Sequence, residues 1–272
     1  MTASDRPEPP EAPGEATASF WALVAPDGPA TLDEGALLIA AHAYPELDVA
    51  RELGQLDQLA EKSTGATLDA LCQLLFDDLG FTGNTAAYYD PRNSFLNDVI
   101  ERRTGIPITL AVVMIEVGRR IGVGLDGVGM PGHFLVRTRA EPVEFVDVFA
   151  GGRRMDAAGA QQVFAALAPP GAPWDPAYLN PVDSRAILAR ILGNLKGRYR
   201  SDKDRRGLEW VLRLRSRIPG VPLSERQELA AVLAALGRFD RAAAELELLA
   251  ELSPEAKGDH QAAAARLRAN LN

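Results

Sequence analysis

Cysteine is almost absent. Cys72 is the single one in 272 residues, which excludes an intrachain disulfide and any thiolate metal cluster. Histidine is scarce too, at positions 42, 133 and 260 only; no H-x3-H or C-x2-C spacing occurs, so no metal site is expected, and no cofactor is expected either. No apolar run reaches the ~18 residues that a membrane-spanning helix needs. The first residues lack the basic, apolar and small-residue order of a secretory signal, so the expectation is a soluble cytoplasmic protein with no membrane contact. Basic charge is in deficit, with 29 Lys and Arg against 37 Asp and Glu for a net charge of −8. That balance argues against nucleic acid as the partner of the whole chain.

What is present suffices for a core. Apolar residues make up 47% of the chain and charged residues 24%, and the length suits two compact units. Residues 1–17 hold four prolines and almost no large apolar side chain, the composition of a disordered tail. Thr31 and Glu34 have capping-box spacing before a first helix that Pro45 ends. His42, at that helix end, reads as a C-terminal helix histidine. Further helices are expected over about 47–62 and 67–79. In the latter, Leu68, Leu71, Cys72, Leu75, Phe76 and Leu79 form one face, so Cys72 reads as a small buried hydrophobe, not a nucleophile. Ser94 is placed to cap a short helix carrying Phe95, Leu96, Val99 and Ile100.

The chain is organised around residues 92–151. From Pro107 to Ile121 the apolar residues cover nearly every azimuth of a helix and only Glu116, Arg119 and Arg120 are charged, which predicts a helix buried on most sides. Pro107 suits its first position. Beyond Gly122 and Gly124 the period changes to two, with Val128, Phe134, Val136, Val146 and Val148 reading as strands and residues 138–142 as a loop. A five-residue loop sets Arg137 opposite Val143 and, counting outward, His133 opposite Asp147 on the same face of the sheet. Such a pair can hydrogen-bond, orienting the imidazole. The loop Gly129-Met130-Pro131-Gly132 is suited to exposing His133 in a cleft.

The stretches ALLIAAHAYPELD, LLFDDLGFTGN, YYDPRNSFLNDVIERRTGIPITLAVV and GVGMPGHFLVR resemble the successive signatures of the bacterial SirB family, in its transglutaminase-like branch with C-terminal tetratricopeptide repeats. The resemblance spans roughly residues 31–152. It implies an α+β fold of the transglutaminase and papain-like superfamily, with N-terminal helices and a small antiparallel sheet, and an altered site more than a reaction. The superfamily places a cysteine at the start of the central helix and a histidine and an aspartate on following strands. His133 and Asp147 match the latter two, while the cysteine position falls on Pro107, which has no nucleophile. The nearest hydroxyl is Thr109, which in the alternative is a helix-terminal residue bonded to backbone. Arg92, Asn93, Arg102 and Arg103 precede the central helix and are candidates for lining the cleft or binding substrate.

After a short helix at about 157–167, the stretch 168–182 is the candidate linker, which Trp174 and Tyr178 could pin to a neighbour. From Asp183 the pattern is helical throughout. Residues 223–256 carry tetratricopeptide spacing, echoed 35 residues earlier by Gly207, Val211, Leu214 and Pro219, and a final helix is expected from about Pro254 to Leu271. The expected division is therefore a tail over 1–17, a transglutaminase-like domain over 18–167, a linker over 168–182 and helical repeats over 183–272, too few to be stable undocked. Residues 183–220 carry eleven Lys or Arg against four Asp or Glu. That predicts a basic surface suited to an acidic peptide.

Three functions compete at this level. The first is a non-catalytic protein binding a polypeptide through cleft and repeats. The second is an amide- or peptide-bond enzyme using His133 and Asp147 with Thr109 or water. The third is a nucleic-acid-associated protein using the basic repeat. The missing cysteine favours the first over the second, and the acidic total favours it over the third.

Overall fold

A computed structural model describes residues 14–269 and divides the chain into an α+β unit, Pro29–Asn194, and a helical unit made of residues up to Gly28 and from Leu195 onward. Helix α1 (Glu15–Val24) thus belongs with the C-terminal helices. Residues 15–17, expected in the tail, open this helix, because its Phe20, Leu23 and Val24 are buried and hold it folded. The remainder of the expected tail, residues 1–13, lies outside the described residues.

The α+β unit starts with α2 (Leu32–Ala41), α3 (Val49–Glu61) and α4 (Leu68–Cys72), which continues as a π-helix over Gln73–Asp78. Thr31 stands at the N-cap of α2, but its hydroxyl donates to the Glu34 carboxylate (2.9 Å) and caps no backbone N–H. Next come β1 (Thr82–Gly83), a 3-10 turn over Pro91–Ser94, α5 (Leu96–Arg102), β2 (Thr104–Gly105) and α6 (Pro107–Arg120). Ser94 closes the 3-10 turn and does not cap α5, whose N-cap is Phe95. As its sequence predicts, α6 is buried along nearly all its length, from Pro107 to Gly118 with only Ile115 partly exposed. It packs against α2, α3, α5 and the sheet.

The sheet contains β3 (Leu125–Val128), β4 (Leu135–Thr138), β5 (Phe145–Asp147), β6 (Arg153–Met155) and β7 (Pro181–Val182), in the antiparallel order β6-β5-β4-β3-β7. Helix α7 (Ala157–Leu167) lies between β6 and β7 in sequence and adds Ala160, Val163 and Phe164 to the core with Val128, Met130, Leu135 and Phe145. Residues 168–182 do not behave as a linker. Trp174 and Tyr178 stack on Phe164 at 5.3 and 5.4 Å between ring centroids, and Pro181–Val182 form the fifth strand. Packing two half-buried aromatic rings against the core holds a proline-rich segment on its own unit. The division between units falls further on, between Asn194 and Leu195, inside the continuous helix α8 (Ser184–Ser201).

In the helical unit α9 (Arg205–Arg215), α10 (Ser224–Ala235), α11 (Phe239–Leu252) and α12 (Lys257–Ala269) pack each on the next. Leu208, Leu212, Leu229, Leu233 and Ala242 form one cluster, and Ala230, Ala243, Leu246, Leu249 and Ala264 the following one. The last helix is described to Ala269; Leu271 lies outside the described residues. Much of the basic charge of 183–220 is neutralised inside this unit. Lys196 bridges Glu225 and Glu228, Arg200 pairs with Glu228, Arg215 with Glu225, and Arg213 approaches Glu209. The basic surface expected from the sequence is reduced because α10 brings Glu225 and Glu228 to it.

Candidate functional site

Strands β4 and β5 pair with Val136 opposite Val146 and Arg137 opposite Phe145. The connecting loop therefore has five residues, as expected, but spans 139–143. Thr138 and Glu144 stay paired, through the Thr138 N–H to the Glu144 carbonyl (2.9 Å) and the Glu144 N–H to the Thr138 hydroxyl (2.9 Å). Arg137 thus faces Phe145 instead of Val143. A shift of two residues keeps parity, so His133 and Asp147 remain on one face, where a shift of one would have parted them. Their contact is diagonal: His133 lies just before β4, and its Nε2 meets Asp147 Oδ1 at 2.9 Å.

Asp147 Oδ1 also accepts the backbone N–H groups of Phe149 and Ala150, each at 3.2 Å. Burial by itself would raise its pKa, but the His133 hydrogen bond and charge and the two backbone N–H groups outweigh burial and hold the carboxyl below the usual carboxylate range. An ionised Asp147 can only accept, so Nε2 carries the proton of this bond and Nδ1 is the ring nitrogen left for another partner. The pair is not the solvent-accessible one expected. His133 is 8% exposed and Asp147 4%. Phe149 stands edge-on to the imidazole at 6.4 Å, and Tyr88 edge-on to Phe149 at 5.8 Å. Tyr88 and Tyr89 are themselves exposed, at 40% and 76%, and form the outer part of this aromatic cover.

Gly83 brings the cover to the start of α6. It pairs with Gly105, two residues before Pro107, and a Cβ at Gly83 would lie 2.4 Å from the Phe149 ring, so only glycine lets this strand and that ring approach. Pro107 is the first residue of α6. Thr109 is sealed, at 1% exposure: its hydroxyl donates to the Asn93 carbonyl (2.6 Å) and accepts the Ile106 N–H (3.2 Å). That is the helix-terminal role set against nucleophilicity in the sequence, since the hydroxyl proton is already committed. Asn93 is fully buried and organises the 84–94 loop, accepting from Asn84 and donating to the carbonyls of Ala87 and Tyr88.

The arginines expected in the cleft go elsewhere. Arg92 forms an exposed pair with Asp90 (2.7 Å). Arg103 ends α5 with a left-handed backbone (φ 53°) and donates to the Leu79 carbonyl. Arg102 stays on α5, near the charges of Asp98 and Asp90. Cys72, on α4, is half-buried, and burial pushes its thiol up to about 11. Among the described residues no group of three or more His, Cys, Asp or Glu side chains is arranged to hold a metal, and no helix is long and apolar enough to cross a membrane.

One residue that sequence reasoning missed is Arg190 on α8. Met130–His133 is a turn closed by the His133 N–H to the Met130 carbonyl (3.1 Å), with Pro131 second and Gly132 third at φ +75°, the residue pattern of a type II turn. Arg190 Nη2 donates to both turn ends, the carbonyls of Met130 (3.0 Å) and His133 (2.8 Å), and the guanidinium lies 5.4 Å from the Phe134 ring centre. Pro131 and Gly132, at the turn's centre, line a largely apolar cavity of about 210 Å³ with Phe164, Leu167, Ala168 and Tyr178. No local motif marks Arg190 among the many cations of 183–220.

A sequence profile described as the transglutaminase-like superfamily matches residues 42–193. A protein of Xylella fastidiosa (strain Temecula1) described as UPF0162 is 40% identical over 236 residues, covering 80% of this chain and 83% of its own. A UPF0162 protein of Vibrio cholerae is 30% identical over 61% of this chain and 65% of its own, and mouse F-box only protein 21 is 32% identical over 47% of this chain and 21% of its own. The chain belongs to the transglutaminase-like superfamily and, within it, to the UPF0162 proteins of bacteria. A solved structure of menin, titled for its binding site for Mixed Lineage Leukemia protein, aligns over 93% of this chain and 67% of its own at a TM-score of 0.41 and 10% identity, too distant to carry an argument.

Proposed function

We propose that this chain is a polypeptide-binding protein on a transglutaminase-like fold whose acyl-transfer nucleophile has been lost. The observation that carries the reading is the start of α6, where Pro107 has no nucleophile and the Thr109 hydroxyl is committed to Asn93 and Ile106. An imidazole and carboxylate without a nucleophile cannot form an acyl-enzyme. The features around them suit binding: the exposed Tyr88 and Tyr89, and the apolar cavity beside the Met130–His133 turn. We read the helical unit as the tetratricopeptide-type array of the SirB branch. Arg200, Lys203 and Arg205, which outnumber Asp204 around a cavity of about 300 Å³ in that unit, suit an acidic segment of the same partner.

A second reading is favoured by the intact His133–Asp147 bond: an amide- or peptide-bond enzyme in which His133 Nδ1 activates a water. One experiment separates the two. A photo-crosslinking amino acid at position 89 captures polypeptide in cells under the binding reading, while a crosslinker at exposed Glu61 does not, and purified protein turns over no simple amide or ester. Turnover that vanishes in His133→Ala, with no crosslink at 89, establishes the enzyme and rejects the binding reading.

A further inference from the structure

Arg190 is half-buried, yet among the described residues no carboxylate forms an ion pair with it, and burial pushes its guanidinium below its usual range, with Tyr88 acting in the opposite direction. Arginines withdrawn from water are normally matched by an anion. Here Nη2 spends its hydrogens on the carbonyls of Met130 and His133, while Nε and Nη1 make no hydrogen bond and neither is sealed from solvent. The cation therefore does two things. It clamps the turn that carries His133, and it holds unused N–H groups and an unbalanced charge beside that turn.

We propose that Arg190 binds a carboxylate of the polypeptide ligand, through the N–H groups of Nε and Nη1, next to the His133 turn. A carboxylate fits better than a phosphate because one guanidinium, with no second cation acting on it, balances a single negative charge. The cavity at Pro131 and Gly132 lies at the centre of the same four-residue turn, whose ends are about 7 Å apart or less, so an apolar side chain and a carboxylate on one short peptide can reach both. The inference rests on the polypeptide-binding reading and specifies what that ligand carries.

The test titrates the full chain with three probes of one size class: N-acetyl-leucine, N-acetyl-leucine amide, and N-acetyl-glutamic acid α-amide. NMR follows the Arg190 Nε–H and His133 ring resonances at constant ionic strength. Saturable shifts with N-acetyl-leucine, and none with its amide, identify a C-terminal carboxylate. Shifts with the glutamic α-amide identify a side-chain carboxylate, and both acids acting equally leaves the carboxylate assignment standing for either source. In Arg190→Lys and Arg190→Gln the response falls at least tenfold. Equal shifts from acid and amide, or an undiminished response in Arg190→Gln with the His133–Asp147 signal unchanged, overturn the proposal. If the variants do not fold, the acid-against-amide comparison in the wild type decides. A wild type that captures polypeptide at position 89 but ignores both acids rejects the role of Arg190 while leaving the binding reading intact.

Discussion

Replacing Thr109 by valine separates a structural hydroxyl from a nucleophile. The two side chains have nearly the same shape, so little cavity is made, but two groups lose their partner: the Ile106 N–H and the Asn93 carbonyl. Both residues are buried, at 3% and 0% exposure, so water cannot replace the hydroxyl without rearrangement. Leaving a buried polar group unmatched costs about 1–3 kcal/mol. Because the Asn93 carbonyl keeps a lone pair idle less expensively than an N–H stays unbonded, about 2–4 kcal/mol is expected in all. Thr109→Ser keeps the hydroxyl and loses one methyl, about 1 kcal/mol. The assay is urea unfolding followed by Trp174 fluorescence with Trp21 and Trp210 changed to Phe, since those two tryptophans belong to the helical unit and Trp174 to the α+β unit. A valine variant within ~0.5 kcal/mol of the parent refutes the argument that the hydroxyl holds the start of α6.

Other consequences are testable in the same background. The Cys72 thiol, pushed up to about 11 by burial, should react with a disulfide reagent at pH 8 roughly 100-fold more slowly in native than in unfolded protein, since the thiolate is the attacking form; equal rates refute its burial. Asp147 has a lowered pKa, so its contribution to stability is complete above about pH 4, its unfolded value, and is lost as pH falls through the folded one. Asp147→Asn should flatten the acid arm of the stability profile, and an unchanged arm rejects the pairing. Glu116 and Asp33 lie buried, paired with the exposed Arg119 and the half-buried Arg120, and burial, then Asp33, raises the pKa of Glu116. Its contribution is complete below the unfolded value, about pH 4, and lost as pH rises through the folded one, so Glu116→Gln should gain on wild type as pH rises above that value; a difference that stays constant with pH contradicts it. Gly83→Ala should displace Phe149 and cost about 1–3 kcal/mol by overpacking, visible as a changed His133 ring environment by NMR.

The buried helix from Pro107, the change from a 3.6 to a 2 period after it, and the five-residue hairpin loop were all legible in local spacing, because periodicity and turn chemistry act over a few residues. Parity alone put His133 and Asp147 on one face, even though the register itself moved by two when Thr138 and Glu144 stayed paired. Pro107, standing where the resemblance places the superfamily's cysteine, carried the proposal that the nucleophile is lost. Strands β6 and β7, of three and two residues, are too short for alternation to show. Only tertiary packing decided the rest: that two aromatic rings draw 168–182 into the sheet's own unit, that α10 supplies carboxylates to a basic segment, that Phe149 and Tyr88 cover the pair, and that Arg190 reaches His133 across 57 residues of chain. Those contacts join surfaces whose complementarity is a matter of shape and charge in three dimensions, and neither is written in the spacing of neighbouring residues.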